Sequence, residues 1–153
     1  MNFNSTNIEQ SERKHAFSLL VIKDNSEKYF GKYLLKYDKR WKCYLLPYNA
    51  TKIDDDKEFV KSVINRFSGL KCEIQEPKKI EQTKFSFSDG YEKTYTHLYY
   101  GITISVKNSI LPDDDSFKIG KDKYKWFSIQ EMKENPKIME RNSDVVKYIS
   151  ENF

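Results

Sequence analysis

The sequence predicts an α+β domain, a mixed α/β sandwich, and three observations carry that prediction. Compact apolar runs of strand length recur from residue 15 onward. Between residues 54 and 67 the apolar period changes from two to about 3.6, and strand patterns then resume before a helical C-terminal end. At 153 residues the chain fits one domain, large enough to bury a core and too short for two ordinary ones.

Composition narrows the class of protein. Hydrophobic residues make up 38% and aromatics 15%, against 33% charged, which describes a globular domain with a core rich in Tyr and Phe. The 27 basic and 23 acidic residues are interspersed, and a net charge of +4 gives only a mild attraction to anions such as nucleotides. It does not define a nucleic-acid binder. Cys43 and Cys72 form no CxxC pair and, with only two histidines, supply no four-ligand zinc set; they read as buried thiols in a reducing compartment. No apolar run approaches the ~18 residues of a membrane span, and the polar start MNFNSTNIEQSERK has no signal-peptide hydrophobic region, so a cytoplasmic location and no membrane contact are expected.

Residues 1–13 are polar and aperiodic and read as a flexible arm, leaving a single domain over 14–153. HAFSLLVIK (15–23) is the first strand, ended by the turn residues Asp24-Asn25-Ser26. KYFGKYLLKYD (28–38) is the second. Asp38-Lys39-Arg40 turns the chain into a third, Trp41 to Leu46, where Pro47 withholds a further backbone donor. A central helix follows at about 55–68, with Phe59, Val60, Val63, Ile64 and Phe67 on one stripe and Lys57, Lys61, Asn65 and Ser68 mostly off it. Asp55 and Glu58 have the spacing of a capping box, and Gly69 suits the left-handed stop.

Beyond Leu70, KCEIQEP (71–77), KKIEQTKFSFSD (78–89) and YEKTYTHLYYGITISV (91–106) read as strands, the last two joined through Asp89-Gly90. Residues 107–122 read as a solvent loop, KYKWF (123–127) as a short strand and SIQEMKEN (128–135) as a short helix. Ser143 is the expected cap of a C-terminal helix at about 143–152, whose Val145, Val146, Ile149 and Phe153 share a face.

Trp41 to Pro47, the Gly69-Leu70 ending and Lys125-Trp-Phe-Ser-Ile-Gln-Glu-Met132, in this order and spacing, resemble the Nudix hydrolase family over roughly residues 15–153. That resemblance implies an α/β/α sandwich with a mixed sheet between helices. It also implies a signature, Gly-x5-Glu-x7-Arg-Glu-U-x-Glu-Glu-x-Gly-U, with U a bulky aliphatic. Anchored on Gly69, Tyr48 takes the position of the first glycine and Asp54 that of the first glutamate. Ser62 and Val63 stand for Arg-Glu, and Arg66 and Phe67 for the Glu-Glu pair. Ile64, Gly69 and Leu70 agree with the pattern. The residues expected to bind Mg²⁺ or Mn²⁺ do not, since valine, arginine and phenylalanine offer no oxygen ligand to a hard dication.

Three functions are open at this point. The first is a Nudix-like domain without the metal-binding glutamates, catalytically impaired, that senses a nucleotide or acts as a scaffold; it needs no cofactor. Arg66 could meet a phosphate directly, with Tyr48 and Lys52 nearby and Tyr95, His97 and Tyr99 offering rings and a donor from one face of a strand. An arginine late in a helix is also an ordinary solvated residue that suits the helix dipole, and the tyrosines are ordinary strand formers. The second is a divergent pyrophosphohydrolase of nucleoside diphosphate derivatives, using Mg²⁺ or Mn²⁺ on Asp54, Asp55, Glu58, Glu73 or Glu92. Against it, capping alone explains the acidic helix start, and Asp113-Asp114-Asp115 lacks the ligand spacing of a calcium loop. The third is a protein- or RNA-interaction module. The partners to consider are therefore a nucleotide-derived ligand, a protein or a second copy of the chain, with nucleic acid disfavoured. His15 has no evident acid, serine or cysteine partner, so no nucleophilic triad can be argued. Divergent domains of the family occur in bacterial nucleotide signalling and antiviral defence, an association that rests on family analogy alone.

Overall fold

Two hydrophobic faces on one sheet organise the chain. A computed structural model describes residues 16–51, 56–67, 72–86, 89–105 and 114–153. Strand β1 (Ala16–Asp24) runs through the middle, parallel to β7 (Tyr91–Ile104) on one side and antiparallel to β2 (Lys32–Asp38) on the other. The described sheet has the order β5-β7-β1-β2-β9-β8, with β5 at Cys72–Ile74, β8 at Ser116–Ile119 and β9 at Asp122–Ser128. Strands β3 (Cys43–Leu45), β4 (Tyr48–Ala50) and β6 (Lys78–Ser86) pair with β2, β1 and β7 respectively. This is the mixed sheet expected.

Because both faces of β1 are covered, its residues read as a continuous apolar run rather than an alternation. Leu20 and Ile22 join a core with Val60, Val63 and Phe67 of helix α1 (Lys57–Asn65) and its end, while Leu19 and Val21 join a second core with Val145, Val146 and Ile149 of the C-terminal helix. Burying each such side chain stabilises by ~1.5–3 kcal/mol. The stripe on α1 is therefore what docks that helix, and Phe67, 2% exposed, sets its edge on the ring of Tyr124 5.4 Å away.

The helix starts later than its acidic run suggested. Its cap is Asp56, so Glu58 stands one position too early for the capping box read with Asp55, which lies outside the described residues. The Asp56 carboxylate does not cap the helix at all; it accepts hydrogen bonds from Ser18 Oγ at 3.0 Å and Asn49 Nδ2 at 3.1 Å, and the Asp56 N–H donates to the Tyr100 hydroxyl. A buried carboxylate needs such donors, and here they come from β1 and β4.

Several other boundaries differ from the sequence reading. Residues 28–31 are a turn rather than the start of β2, with Gly31 at φ 77°, and Phe30 is left 84% exposed. Trp41 and Lys42 belong to the turn before β3, Lys42 taking a left-handed φ of 56° while its N–H bonds the Asp38 carbonyl at 2.7 Å. The supposed loop 107–122 contains β8, which turns through Gly120 at φ 61° into β9. Helix α2 (Ile129–Lys133) has a reciprocal capping box, Ser128 Oγ accepting from Glu131 N–H at 3.1 Å and Glu131 Oε1 from Ser128 N–H at 3.0 Å.

The last helix, α3 (Pro136–Asn152), begins seven residues before Ser143, capped by Asn135 with Pro136 in the first turn, where a missing N–H does no harm. It is kinked at Asn142, and the segment read at 143–152 is the part beyond the kink. The expected hairpin through Asp89-Gly90 is present, with Gly90 at φ 75°. Both cysteines are free thiols; Cys43 is buried and Cys72 half-buried. Among the described residues no helix is long and apolar enough to cross a membrane. The arm at 1–13 and His15 lie outside the described residues.

Removing the Asp56 carboxylate orphans two donors beneath the helix start. We expect Asp56→Ala to lower unfolding stability by about 2–4 kcal/mol, read from the urea midpoint. An unchanged midpoint would show that α1 is docked by its apolar stripe alone.

Candidate functional site

Helix α1, the β2–β3 turn and the β8–β9 turn enclose a cleft of about 630 Å³, within the size range of small-molecule sites. Phe59, Ser62, Val63 and Arg66 line it from the helix, and Leu46, Pro47 and Tyr48 from the β3–β4 connection. Its charge is lopsided. Lys36, Lys39, Arg40, Arg66, Lys121 and Lys123 face only two carboxylates, Asp38 and Asp122. Clustered cations with low-dielectric walls concentrate anions locally.

Both carboxylates are already engaged. Asp38 accepts the Tyr48 hydroxyl at 2.5 Å and the Trp41 N–H at 2.9 Å. Burial, and then that same carboxylate, push the Tyr48 hydroxyl up to about 12, so it stays a neutral donor at physiological pH. Asp122 pairs with Arg66 through Oδ2 and lies 3.6 Å from Lys36 Nζ through Oδ1. Burial first and the Asp122 charge second raise the pKa of the Tyr124 hydroxyl, and the Arg66 cation opposes them. The arginine thus faces neither an empty cleft nor only water. Trp41 has guanidinium groups over its ring from Arg40 and Arg141, at 4.7 and 4.2 Å.

Of the residues singled out in the sequence, the cleft brings together Tyr48 and Arg66. Lys52, Asp54 and Asp55 lie outside the described residues. Glu58 is exposed on α1 and does not line the cleft. Glu73 and Glu92 cannot share one ion: Glu73 stands opposite Thr103 of β7, and Glu92 lies 11 residues away on that strand, about 36 Å at the usual strand rise. Among the described residues no group of three or more His, Cys, Asp or Glu side chains is placed to hold a metal ion. Tyr95, His97 and Tyr99 do share one face, as alternation predicts, but it is the face covered by α3. Leu98 and Tyr100, which alternate with them, belong to the α1 side, where Arg66 is.

Sequence reasoning missed Lys36, Asp38, Lys39, Arg40, Lys121, Asp122 and Lys123 as lining residues. The available signal was two lysine-rich turns, KYDKR and GKDKYK. Only strand pairing, Lys36 opposite Tyr124, reveals that they adjoin.

No protein-family model and no curated protein sequence matches the chain. Its architecture does match solved structures. A NUDIX-family hydrolase from Clostridium perfringens is similar over 90% of this chain and 94% of its own, with a TM-score of 0.52 at 16% identity. The Caenorhabditis elegans Ap4A hydrolase is similar over 88% of this chain and 92% of its own, with a TM-score of 0.50 at 12% identity. At such identities the likeness is one of fold. This chain is a Nudix-fold protein, with the mixed sheet and helix order that its sequence resemblance implied.

On the far face, His97 is 2% exposed, its Nδ1 2.7 Å from Gln82 Oε1, which also accepts the Tyr99 hydroxyl. Gln82 Nε2 donates to the Asp144 carbonyl at 3.1 Å, which orients the amide and requires His97 to carry its proton on Nδ1. Lys84 reaches Asp144 and the Asn142 side chain, each at 3.3 Å, tying β6 to the helix kink. Burial, and then the Lys84 cation, push the His97 pKa from 6.5 down to about 3. Below pH 6.5 the unfolded chain therefore takes up a proton that the folded one refuses, so stability falls with pH across the window from 6.5 to about 3. His97→Phe should flatten that slope, recovering on the order of 3 kcal/mol of the loss between pH ~6.5 and ~4. Urea unfolding of both proteins across that range measures it, and parallel slopes would refute it.

Proposed function

We propose that this domain binds a phosphorylated, nucleotide-type anion in the cleft directly through arginine and lysine, and that it acts as a sensor or scaffold rather than as a hydrolase. One observation carries the reading: Arg66 projects from α1 into a cleft where six cations face two carboxylates that already have partners. A guanidinium presents a planar fork of donors that matches phosphate oxygens. Tyr37, Tyr48, Phe59 and Tyr124 supply aromatic surface beside those cations for the apolar part of such a ligand.

No Mg²⁺ or Mn²⁺ belongs to this reading. Such ions take several oxygen ligands, and the described donor set does not suit them: its two carboxylates serve other groups, and the arginine would repel a dication by ~1–4 kcal/mol per unit charge at 4 Å in wet surroundings. A cytoplasmic setting fits a nucleotide-responsive domain with two free thiols.

Calorimetric titration with ADP, ATP and inorganic pyrophosphate tests the reading. The expected result is binding that is unchanged between EDTA and Mg²⁺, weakens steeply with added salt, falls at least about tenfold in Arg66→Gln, and is not followed by phosphate release. Metal-dependent hydrolysis by the purified protein would overturn it in favour of a divergent pyrophosphohydrolase. Absence of binding to all three anions would favour a protein- or RNA-interaction module.

A further inference from the structure

Asp122 is a carboxylate set among cations where an anionic ligand would bind. It opens β9 directly after the Gly120-Lys121 turn, pairs across the hairpin with Ile119, and is flanked in sequence by Lys121 and Lys123. Its two oxygens are divided, Oδ2 to the Arg66 guanidinium and Oδ1 toward Lys36 Nζ at 3.6 Å. The side chains of Arg66, Lys36 and Asp122 are 50%, 37% and 26% exposed, so water reaches all three and exchange of one anion for another needs no rearrangement of the core. Arg66, Lys36, Asp122 and Tyr124 all line the same cleft.

We infer that the Asp122 carboxylate occupies the seat of a ligand phosphate and competes with it. This rests on the cleft being an anion site, as proposed above. A phosphate offers the same division of oxygens between an arginine and a lysine, carries more charge, and has a further oxygen for the Tyr124 hydroxyl. The carboxylate also explains how a cation pair can stand in the cleft before any ligand arrives: an exposed pair of this kind is weak and exchanges readily. The ligand class is accordingly a pyrophosphate or phosphomonoester group, because one anionic centre must replace both contacts that Asp122 makes. Asp122 sets the affinity threshold of the site.

The test is titration of inorganic pyrophosphate in EDTA at one ionic strength into the wild-type protein, Asp122→Asn, Arg66→Gln and the double variant. Asp122→Asn keeps the shape and removes the competing charge, so roughly three- to tenfold tighter binding is expected, and the double variant should lose that gain. Measurable wild-type binding that is not tightened by Asp122→Asn would overturn the seat while leaving the cleft reading intact. No binding by either protein would overturn both. Thermal unfolding shows whether the variant is folded at the assay temperature; if it is not, Asp122→Ser makes the same comparison under the same two criteria.

Discussion

The placement of helix α1 depends on a buried carboxylate. Asp56 is 8% exposed and receives Ser18 from β1 and Asn49 from β4, while its own N–H meets Tyr100 of β7. Three strands therefore hold one residue at the helix start. From there α1 advances ~1.5 Å per residue, so Arg66 emerges about 15 Å away, over β9. Val60, Val63 and Phe67 fix the rotation of the helix about its axis by joining the core. Anchor and stripe together leave Ser62 and Arg66 for the cleft, and without the anchor the arginine's position over Asp122 would not be determined.

The constraint on the other side of the sheet is of the same kind. Gln82, His97 and Tyr99 form a buried polar group that must satisfy itself, and does so largely by sharing one amide oxygen. Lys84 then extends the group to Asn142 and Asp144, and the kink in α3 falls where that lysine reaches it. Buried polar networks of this sort specify an arrangement more than they add stability. Here the arrangement is the seating of α3, which lets Tyr148 and Phe153 pack on Tyr99.

The parts of the fold legible in the sequence were those written in apolar periodicity. β1, the α1 stripe, the long β7 and the 145-146-149 face all follow from burial, which acts on each residue locally. β8 escaped because only Phe117 of its four residues is buried, so pairing with β9 rather than alternation holds it. The early start of α3 escaped because Ser143 offered a cap further along, whereas the cap in use is Asn135, with Pro136 tolerated in the first turn. Of the residues lining the candidate cleft, Tyr48 and Arg66 are the two singled out in the sequence, Arg66 because its charge is odd against the resembled pattern. Its partner Asp122 stands 56 positions away, and no spacing rule links them. The alternation of Tyr95, His97 and Tyr99 was right, but sequence could not tell which face of the sheet bears the cleft.

The described lining of this cleft carries more positive than negative groups. A phosphate ligand can be neutralised through a dication held by several carboxylates, or by protein cations that touch it directly. The first arrangement gathers negative groups that need the metal to coexist; the second gathers positive groups that need an anion. The described lining has the second kind of imbalance, and its two carboxylates are engaged differently, Asp122 as counterion to the helix arginine and a strand lysine, Asp38 as acceptor from the turn and Tyr48. These roles differ in consequence. Asp38 bonds to backbone and to a neutral phenol, so it shapes the wall of the cleft, whereas Asp122 bonds only to cations that an incoming phosphate would also seek. On the anion-site reading proposed above, the acid that pairs with Arg66 and Lys36 is thus the one a ligand would have to displace, and a preference for strongly charged anions would follow from that competition.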